Sequence, residues 1–134
     1  MIYFVDTNTC IYFLNGKYES VKENFLSNSP RDIKVSAIVK AELILGAFKS
    51  KRKKQTLERV ENFLRPFEII DFTDEMSYTY AEIRSKLELV GKTIGANDFL
   101  IAATTMYCNA VLVTNNTTEF ARVKGLKLEN WVVE

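Results

Sequence analysis

Three acidic residues occupy positions where the surrounding sequence is apolar. Asp6 directly follows an apolar run at the N-terminus, Glu42 lies within residues 37–46, and Asp98 lies within residues 94–103. An unpaired ionised carboxylate is costly to bury, so such groups are usually paired or bind a cation. Several of them together favour a hard, oxygen-preferring metal such as Mg²⁺ or Mn²⁺.

The spacing of neighbouring residues places two of these acids on apolar helix faces. Glu42 has Ile38 four residues before it and Leu45 three residues after it, and Asp98 is followed three residues later by Ile101. Residues with these separations share one face of a helix. We therefore predict that both carboxylates lie on buried stripes.

The chain contains no histidine, which excludes several kinds of chemistry. A Ser-His-Asp triad, a Cys-His pair, histidine acid–base ribonuclease chemistry and zinc held by imidazole are all impossible. The two cysteines, Cys10 and Cys108, fit neither a disulfide framework nor a zinc pattern and are predicted to be reduced core thiols. Any reaction must use carboxylates, hydroxyls, lysines or a metal.

Short apolar segments alternate with segments of helical spacing along the 134 residues. Strands are predicted at 2–5, 33–35, 67–72 and 110–114, with an edge strand within 126–133. Helices are predicted at 7–14, 18–26, 37–48, 51–64, 74–90, 97–107 and 118–123, with Ser36, Thr73 and Asn97 among their N-caps. This alternation predicts one α/β domain over residues 1–134, with a parallel sheet covered on both faces.

The predicted sheet brings the acids together. In open α/β sheets, ligands bind at the carboxyl ends of the strands. Asp6 ends the first strand, Thr114 and Asn116 follow the fourth, and Glu42 and Asp98 lie near the starts of helices that leave the same edge.

Each acid except Glu42 also has a local explanation. Asp6 is a possible helix cap, Asp98 a first-turn acid that complements the helix dipole, and Glu119 an exposed helix residue. Nothing local requires an acid at position 42. Taken jointly at one edge of the sheet, the acids favour a metal site.

The charge distribution adds one further feature. The formal net charge is only +1, but Lys49, Lys51, Arg52, Lys53 and Lys54 form a basic segment. Such a segment is either a solvated surface or a site that attracts phosphates. The N-terminus lacks a basic region before its apolar run, and no window approaches the length of a membrane span, so we expect a cytoplasmic protein without a membrane segment.

Four segments resemble the motifs of PIN-domain nucleases in order and separation. They are Met1-Ile2-Tyr3-Phe4-Val5-Asp6-Thr7-Asn8, Ala41-Glu42-Leu43 with Gly46, residues 94–103, and residues 113–120. The compact length and the ending over residues 125–131 resemble the VapC toxins of bacterial VapBC toxin–antitoxin systems. The resemblance covers nearly the whole chain and implies a PIN-like, Rossmann-like three-layer α/β fold.

The resemblance also assigns roles to residues. Asp6, Glu42 and Asp98 would be the metal-binding catalytic acids. Many PIN domains have an aspartate where this chain has Asn116; Asn116 would offer a neutral oxygen to the metal, and Glu119 would supply the missing charge as a fourth catalytic acid. Candidates for holding ligands or water in place are Thr7, Asn8, Ser36 and Thr114, for whose hydroxyls capping is the alternative.

The activity that the resemblance implies is a Mg²⁺- or Mn²⁺-dependent endoribonuclease, inhibited by a VapB-like antitoxin and commonly homodimeric. Several similar toxins cut the anticodon loop of initiator tRNA, which makes that loop one candidate substrate. Proteins read RNA sequence mainly in such single-stranded loops, and the basic segment would hold the flanking phosphates.

Two alternatives stay open. A phospho-receiver module also carries an acidic Mg²⁺ pocket, but it needs paired acids after its first strand, and here Asp6 is followed by Thr7. A catalytically degenerate PIN domain that only binds a partner is the second, and its support is Asn116.

Overall fold

The computed structural model describes residues 1–134 as alternating strands and helices. The strands are β1 (Tyr3–Val5), β2 (Ile33–Ser36), β3 (Glu68–Ile70), β4 (Val111–Val113) and β5 (Lys127–Glu129). The helices are α1 (Thr7–Asn15), α2 (Glu19–Ser27), α3 (Ala37–Lys49), α4 (Lys53–Leu64), α5 (Met76–Leu89), α6 (Ala96–Tyr107) and α7 (Thr117–Phe120), with a short 3-10 helix at Pro30–Asp32. The predicted α/β class is confirmed.

All five strands form one parallel sheet in the order β3-β2-β1-β4-β5. Tyr3 of β1 lies opposite Ile33 on one side and Val111 on the other. The chain winds outward from β1 to β3 in one direction and from β4 to β5 in the other. The strand order therefore reverses between β1 and β4, and the carboxyl ends of such a strand pair are where open α/β sheets bind ligands.

The central strands are apolar on both faces. Phe4, Val5 and Leu112 are fully buried, as strands covered by helices on both sides require. The sheet is therefore the middle layer of a three-layer arrangement.

Two strands pass almost directly into helices at this edge. Ser36 caps α3 as predicted, because its Oγ accepts the backbone N–H of Val39 at 3.2 Å. Helix α1 starts one residue after Asp6, the residue that ends β1, and finishes at Gly16, whose φ of +64° is the left-handed conformation common at helix ends. These short connections hold the helix starts close to the strand ends.

Two predicted caps are wrong. Helix α5 begins at Met76 because residues 74–75 form a turn first, and the Thr73 hydroxyl is buried without a hydrogen-bond partner. Helix α6 begins one residue before Asn97, with Gly95 as its N-cap, so Asn97 lies inside the first turn and does not cap. Both errors arise because several polar residues or turn formers stand in a row, and only backbone geometry selects among them.

Other helix and strand ends differ from the predicted ones by a few residues. Helix α4 begins at Lys53 because Lys51 and Arg52 form a turn, and β5 covers only the middle of the predicted edge strand. Both cysteines are free; Cys10 lies in the buried core as predicted, whereas Cys108 is only half-buried. The longest and most apolar helices still fall short of what a membrane crossing requires.

Candidate active site

A cavity of about 250 Å³ lies where β1 and β4 end. Its lining combines residues that follow these two strands with residues from α3 and α6. The lining residues are Asp6, Thr7, Asn8, Glu42, Asp98, Asn116 and Phe120. The structure thus brings together the three predicted acids and Asn116, although they are far apart in the sequence.

Asp6 is the most buried of the acids, with 6% of its surface exposed. Its backbone N–H donates to Val113 O at 3.0 Å, which fixes it to the end of β4. Its Oδ1 accepts the N–H of Thr9 at 2.9 Å, and the Thr114 hydroxyl also bonds its carboxylate. Burial raises the pKa of Asp6, and these hydrogen bonds oppose the rise. Asp6 therefore caps α1 and lines the cavity at once.

Glu42 is half-buried, because the apolar stripe predicted for α3 opens into the cavity at this residue. Both of its carboxylate oxygens accept hydrogen bonds from other helices. The Thr7 hydroxyl donates to Oε1 at 2.6 Å, and Asn97 Nδ2 donates to Oε2 at 3.4 Å. Glu42 thus connects α3 to α1 and to α6.

Asp98 is also half-buried rather than buried as its spacing predicted. Burial, followed by repulsion from Glu42, Asp6 and Glu119, raises its pKa from 3.8 to about 6. Attraction to a helix dipole would favour the charged carboxylate and lower the pKa. The dipole is therefore not the dominant influence on Asp98.

Gly95 allows the Asp98 carboxylate to fold back over the start of α6. A Cβ at Gly95 would lie 3.2 Å from Asp98 Oδ2, tighter than an ordinary contact. The φ of Gly95 is −59°, which any residue adopts, so the close approach rather than the backbone conformation favours glycine here.

Asn116 and Glu119 form a pair at the start of α7. Asn116 Nδ2 donates to Glu119 Oε2 at 3.1 Å, and the Asn116 N–H donates to the Thr114 hydroxyl at 2.9 Å. Asn116 lines the cavity, whereas Glu119 does not, although its charge raises the pKa of Asp98. Glu119 therefore acts on the cavity from behind Asn116.

The remaining candidates separate into two groups. Asn8 and Thr7 line the cavity, and Thr114 contacts both Asp6 and Asn116. The Ser36 hydroxyl caps α3 and does not line the cavity, so capping is the role that its contacts support. Sequence reasoning missed Asn97 and Phe120 as parts of the site; their signal was only that they adjoin Asp98 and Glu119.

The donor set fits a hard divalent cation. Carboxylate and amide oxygens of Asp6, Glu42, Asp98 and Asn116 face one cavity, and these are the ligands that Mg²⁺ and Mn²⁺ prefer. A cation would also relieve the repulsion that raises the pKa of Asp98. No three acidic side chains are close enough together to form a complete metal cluster by themselves. Mg²⁺ commonly keeps several waters and takes only one or two carboxylates, so a closed cluster is not required.

The basic segment lies outside the cavity. All five cationic residues are exposed, and the last four line an open depression on the surface. The Lys53 ammonium lies 3.8 Å from the centre of the Phe48 ring, a cation–π contact. Lys49 lies seven residues after Glu42 on α3, which is about 10 Å along the helix axis.

Known proteins match the chain over nearly its whole length. The family model of the PIN domain matches residues 3–126. Ribonuclease VapC2 of Rickettsia felis is 46% identical over 132 residues, which cover 98% of each chain. The tRNA(fMet)-specific endonuclease VapC of Salmonella typhimurium is 36% identical over 129 residues, which cover 96% of this chain and 97% of that protein.

Solved structures agree with these matches. The crystal structure of VapBC2 from Rickettsia felis bound to a promoter DNA fragment aligns with a TM-score of 0.89 at 44% identity, covering 98% of this chain and 99% of that one. The DNA-bound VapBC of Salmonella typhimurium aligns with a TM-score of 0.92 at 35% identity, covering 98% of each chain. The chain therefore belongs to the PIN-domain family, among its VapC ribonucleases.

Proposed function

We propose that the protein is a Mg²⁺- or Mn²⁺-dependent endoribonuclease toxin whose reaction takes place in the acidic cavity. The observation that carries the proposal is the convergence of Asp6, Glu42 and Asp98, from three separate segments, on one cavity where the strand order reverses. Asn116 adds a neutral oxygen from a fourth segment.

Asp6, Glu42, Asp98 and Asn116 would hold the metal, directly or through the waters that it keeps. A bound divalent ion supplies neutralisation of charge on the phosphodiester and a water of lowered pKa. The protein's own contribution is orientation: Thr7 holds Glu42, while Thr114 holds Asp6 and bonds the backbone of Asn116. Glu119 fixes the Asn116 amide and adds negative charge behind it.

The substrate we propose is RNA, with the anticodon loop of initiator tRNA as the specific target. The support is the relative from Salmonella typhimurium, which is named as specific for tRNA(fMet). The exposed basic segment would bind phosphates beside the cleaved loop, because it carries charge on an open surface.

The test is cleavage of initiator tRNA in Mn²⁺ or Mg²⁺, compared with an elongator tRNA of matched length. Wild type and the exposed-acid control Asp71→Asn should cut the initiator at its anticodon loop, and Asp6→Asn and Asp98→Asn should not. Cutting that persists in excess EDTA would refute the metal dependence. Equal cutting of both tRNAs would refute the specific target and leave the ribonuclease proposal intact.

Metal binding is tested separately by thermal denaturation. An ion that binds only the folded protein adds about 2.7 kcal/mol at 100 times its dissociation constant. Mn²⁺ should therefore raise the melting temperature of the wild type and not of Glu42→Ala. A catalytically degenerate scaffold would give the same small shift in both proteins.

We further propose that a VapB-like antitoxin inhibits the enzyme through a groove between α1, α3 and α4. The groove extends from Glu42 to Arg59, and its lining includes the exposed apolar side chain of Ile11 on α1. The matched solved structures from Rickettsia felis and Salmonella typhimurium are VapBC complexes. Ile11→Asp should weaken inhibition by co-expressed antitoxin without lowering cleavage by the free enzyme, and unchanged inhibition would exclude the groove.

A homodimer is the remaining part of the proposal, carried by the family resemblance. Light scattering coupled to size-exclusion chromatography would decide it, with twice the chain mass of 15.4 kDa expected.

A further inference from the structure

Asn97 makes a contact that its position in the sequence does not require. It lies in the first turn of α6, is exposed, and makes no cap hydrogen bond there. Its side-chain amide instead extends to another helix and donates to Glu42 Oε2 at 3.4 Å. The other carboxylate oxygen of Glu42 accepts the Thr7 hydroxyl at 2.6 Å.

We propose that Asn97 is a positioning residue, which together with Thr7 fixes the orientation of the Glu42 carboxylate toward the cavity. Glutamate has three rotatable side-chain bonds, and one hydrogen bond would leave its carboxylate free to turn. Two donors from α1 and α6, one on each oxygen, define the plane of the group. Each carboxylate oxygen has two acceptor sites, so an oxygen bonded to Asn97 still has one for a metal.

The arrangement also connects two metal-binding residues. Asn97 and Asp98 are adjacent on α6, so the hydrogen bond to Glu42 holds the start of α6 against α3 at the cavity. Groups that hydrogen-bond a metal-binding residue typically change metal affinity 10- to 100-fold when they are removed. This part of the inference rests on the proposed metal-dependent function, whereas the contact between Asn97 and Glu42 does not.

Asn97→Asp separates this role from that of an ordinary first-turn residue. An aspartate in the first turn of a helix is favourable, because it complements the helix dipole. If Asn97 were only such a residue, the substitution would raise the melting temperature. Because Asn97 faces Glu42, we expect the Asn97→Asp substitution to bring two negative charges together and to lower the melting temperature in EDTA at pH 7.5. The loss should disappear in the Glu42→Gln background, where no charge opposes the new aspartate.

Mn²⁺ binding, measured by the loss of the free-ion electron paramagnetic resonance signal, tests the positioning role. Asn97→Ala should weaken binding about 10-fold in the wild-type background. It should have no further effect in the Glu42→Gln background, because Asn97 acts through that carboxylate. The matched control is Asn62→Ala, an exposed asparagine on α4, which should leave Mn²⁺ affinity unchanged.

The outcomes distinguish this inference from the proposed function. A wild type that does not bind Mn²⁺ overturns the metal-dependent function and, with it, the positioning role, while the melting experiment still decides the contact. A higher melting temperature of Asn97→Asp, or an equal loss with and without Glu42, overturns the contact even in an active enzyme. If Asn97→Asp lowers the melting temperature as expected but Asn97→Ala leaves the Mn²⁺ affinity unchanged, the contact stands and only the positioning role is overturned.

Discussion

Asp98→Asn should stabilise the protein near neutral pH when no divalent metal is present. The pKa of Asp98 is raised from 3.8 to about 6 in the folded protein by burial and by neighbouring acids. The folded state therefore binds this proton more tightly than the unfolded chain does. Stability contributed by the protonated group is present at low pH and is lost as the pH rises from about 4 to about 6.

The size of the effect follows from the same pKa difference. A rise from 3.8 to about 6 corresponds to about 3 kcal/mol, since each pKa unit is worth 1.36 kcal/mol. Asp98 is half-exposed, so we discount this for solvent screening to about 1.5 kcal/mol. For a chain of this size, about 1 kcal/mol moves the melting temperature by roughly 3–5 °C. Asn has the same shape without the charge, so we expect a gain of about 5 °C at pH 7.5 and almost none at pH 4.

The assay is thermal denaturation of metal-stripped protein between pH 4 and pH 7.5 at low salt. Asp71→Asn, at an exposed aspartate, is the control and should change the melting temperature little at either pH. A melting temperature of Asp98→Asn that is unchanged or lower at pH 7.5 would show that the charge on Asp98 carries no cost. A gain of equal size at pH 4 would show that the substitution acts by packing instead.

Three further predictions concern neighbouring parts of the site. Gly95→Ala should leave the stability of the protein unchanged or raise it by up to about 1 kcal/mol, because the φ of Gly95 suits alanine. The added Cβ should nevertheless slow cleavage, because it would displace the Asp98 carboxylate. An unchanged kcat would refute the close approach. Glu119→Gln keeps a hydrogen-bond partner for Asn116 but removes the negative charge. Cleavage should therefore slow at limiting Mg²⁺ and recover in excess Mg²⁺, whereas Glu119→Ala, which also loses the partner, should not recover. An unaffected cleavage rate at limiting Mg²⁺ would show that Glu119 has only a structural role. In a variant with Lys51, Arg52, Lys53 and Lys54 neutralised, RNA binding should depend less on salt. The slope of the logarithm of the binding constant against the logarithm of the salt concentration should fall by about 0.7 for each phosphate that is no longer neutralised, and the cleavage site should not move. A moved cleavage site would show that the segment reads bases.

The acids were predictable because each conflicts with its surroundings. Glu42 follows a helical apolar spacing and has no local role, and Asp6 ends a buried strand. Such conflicts between local pattern and residue type are expected mainly at functional sites. The parallel α/β class was predictable for a related reason, since short continuous apolar strands alternate with helices.

The strand order and the contacts between helices were not predictable in the same way. Nothing in the local pattern around Asp6 or Thr114 states that β1 and β4 are neighbours. The sequence predicts Asn97 as a cap because polar residues near a helix start usually cap it. The N-cap is instead Gly95, two residues earlier, so Asn97 lies inside the first turn and its side chain has a different partner, Glu42.

The pairing of Asn116 with Glu119 follows from the same electrostatics as the raised pKa of Asp98. A fourth carboxylate at position 116 would line the cavity directly and add to the repulsion that Glu42 and Asp6 already exert on Asp98. With Asn116 in that place, the cavity keeps a neutral amide in its lining, and the negative charge lies on Glu119, which accepts a hydrogen bond from that amide. The Glu119 charge still raises the pKa of Asp98, but Glu119 does not line the cavity and accepts a hydrogen bond from Asn116. The amide of Asn116 therefore lowers the electrostatic cost of the metal-free site, while the Glu119 charge keeps part of the attraction for a cation. Asn116→Asp should accordingly bind the metal more tightly and be less stable when no metal is present.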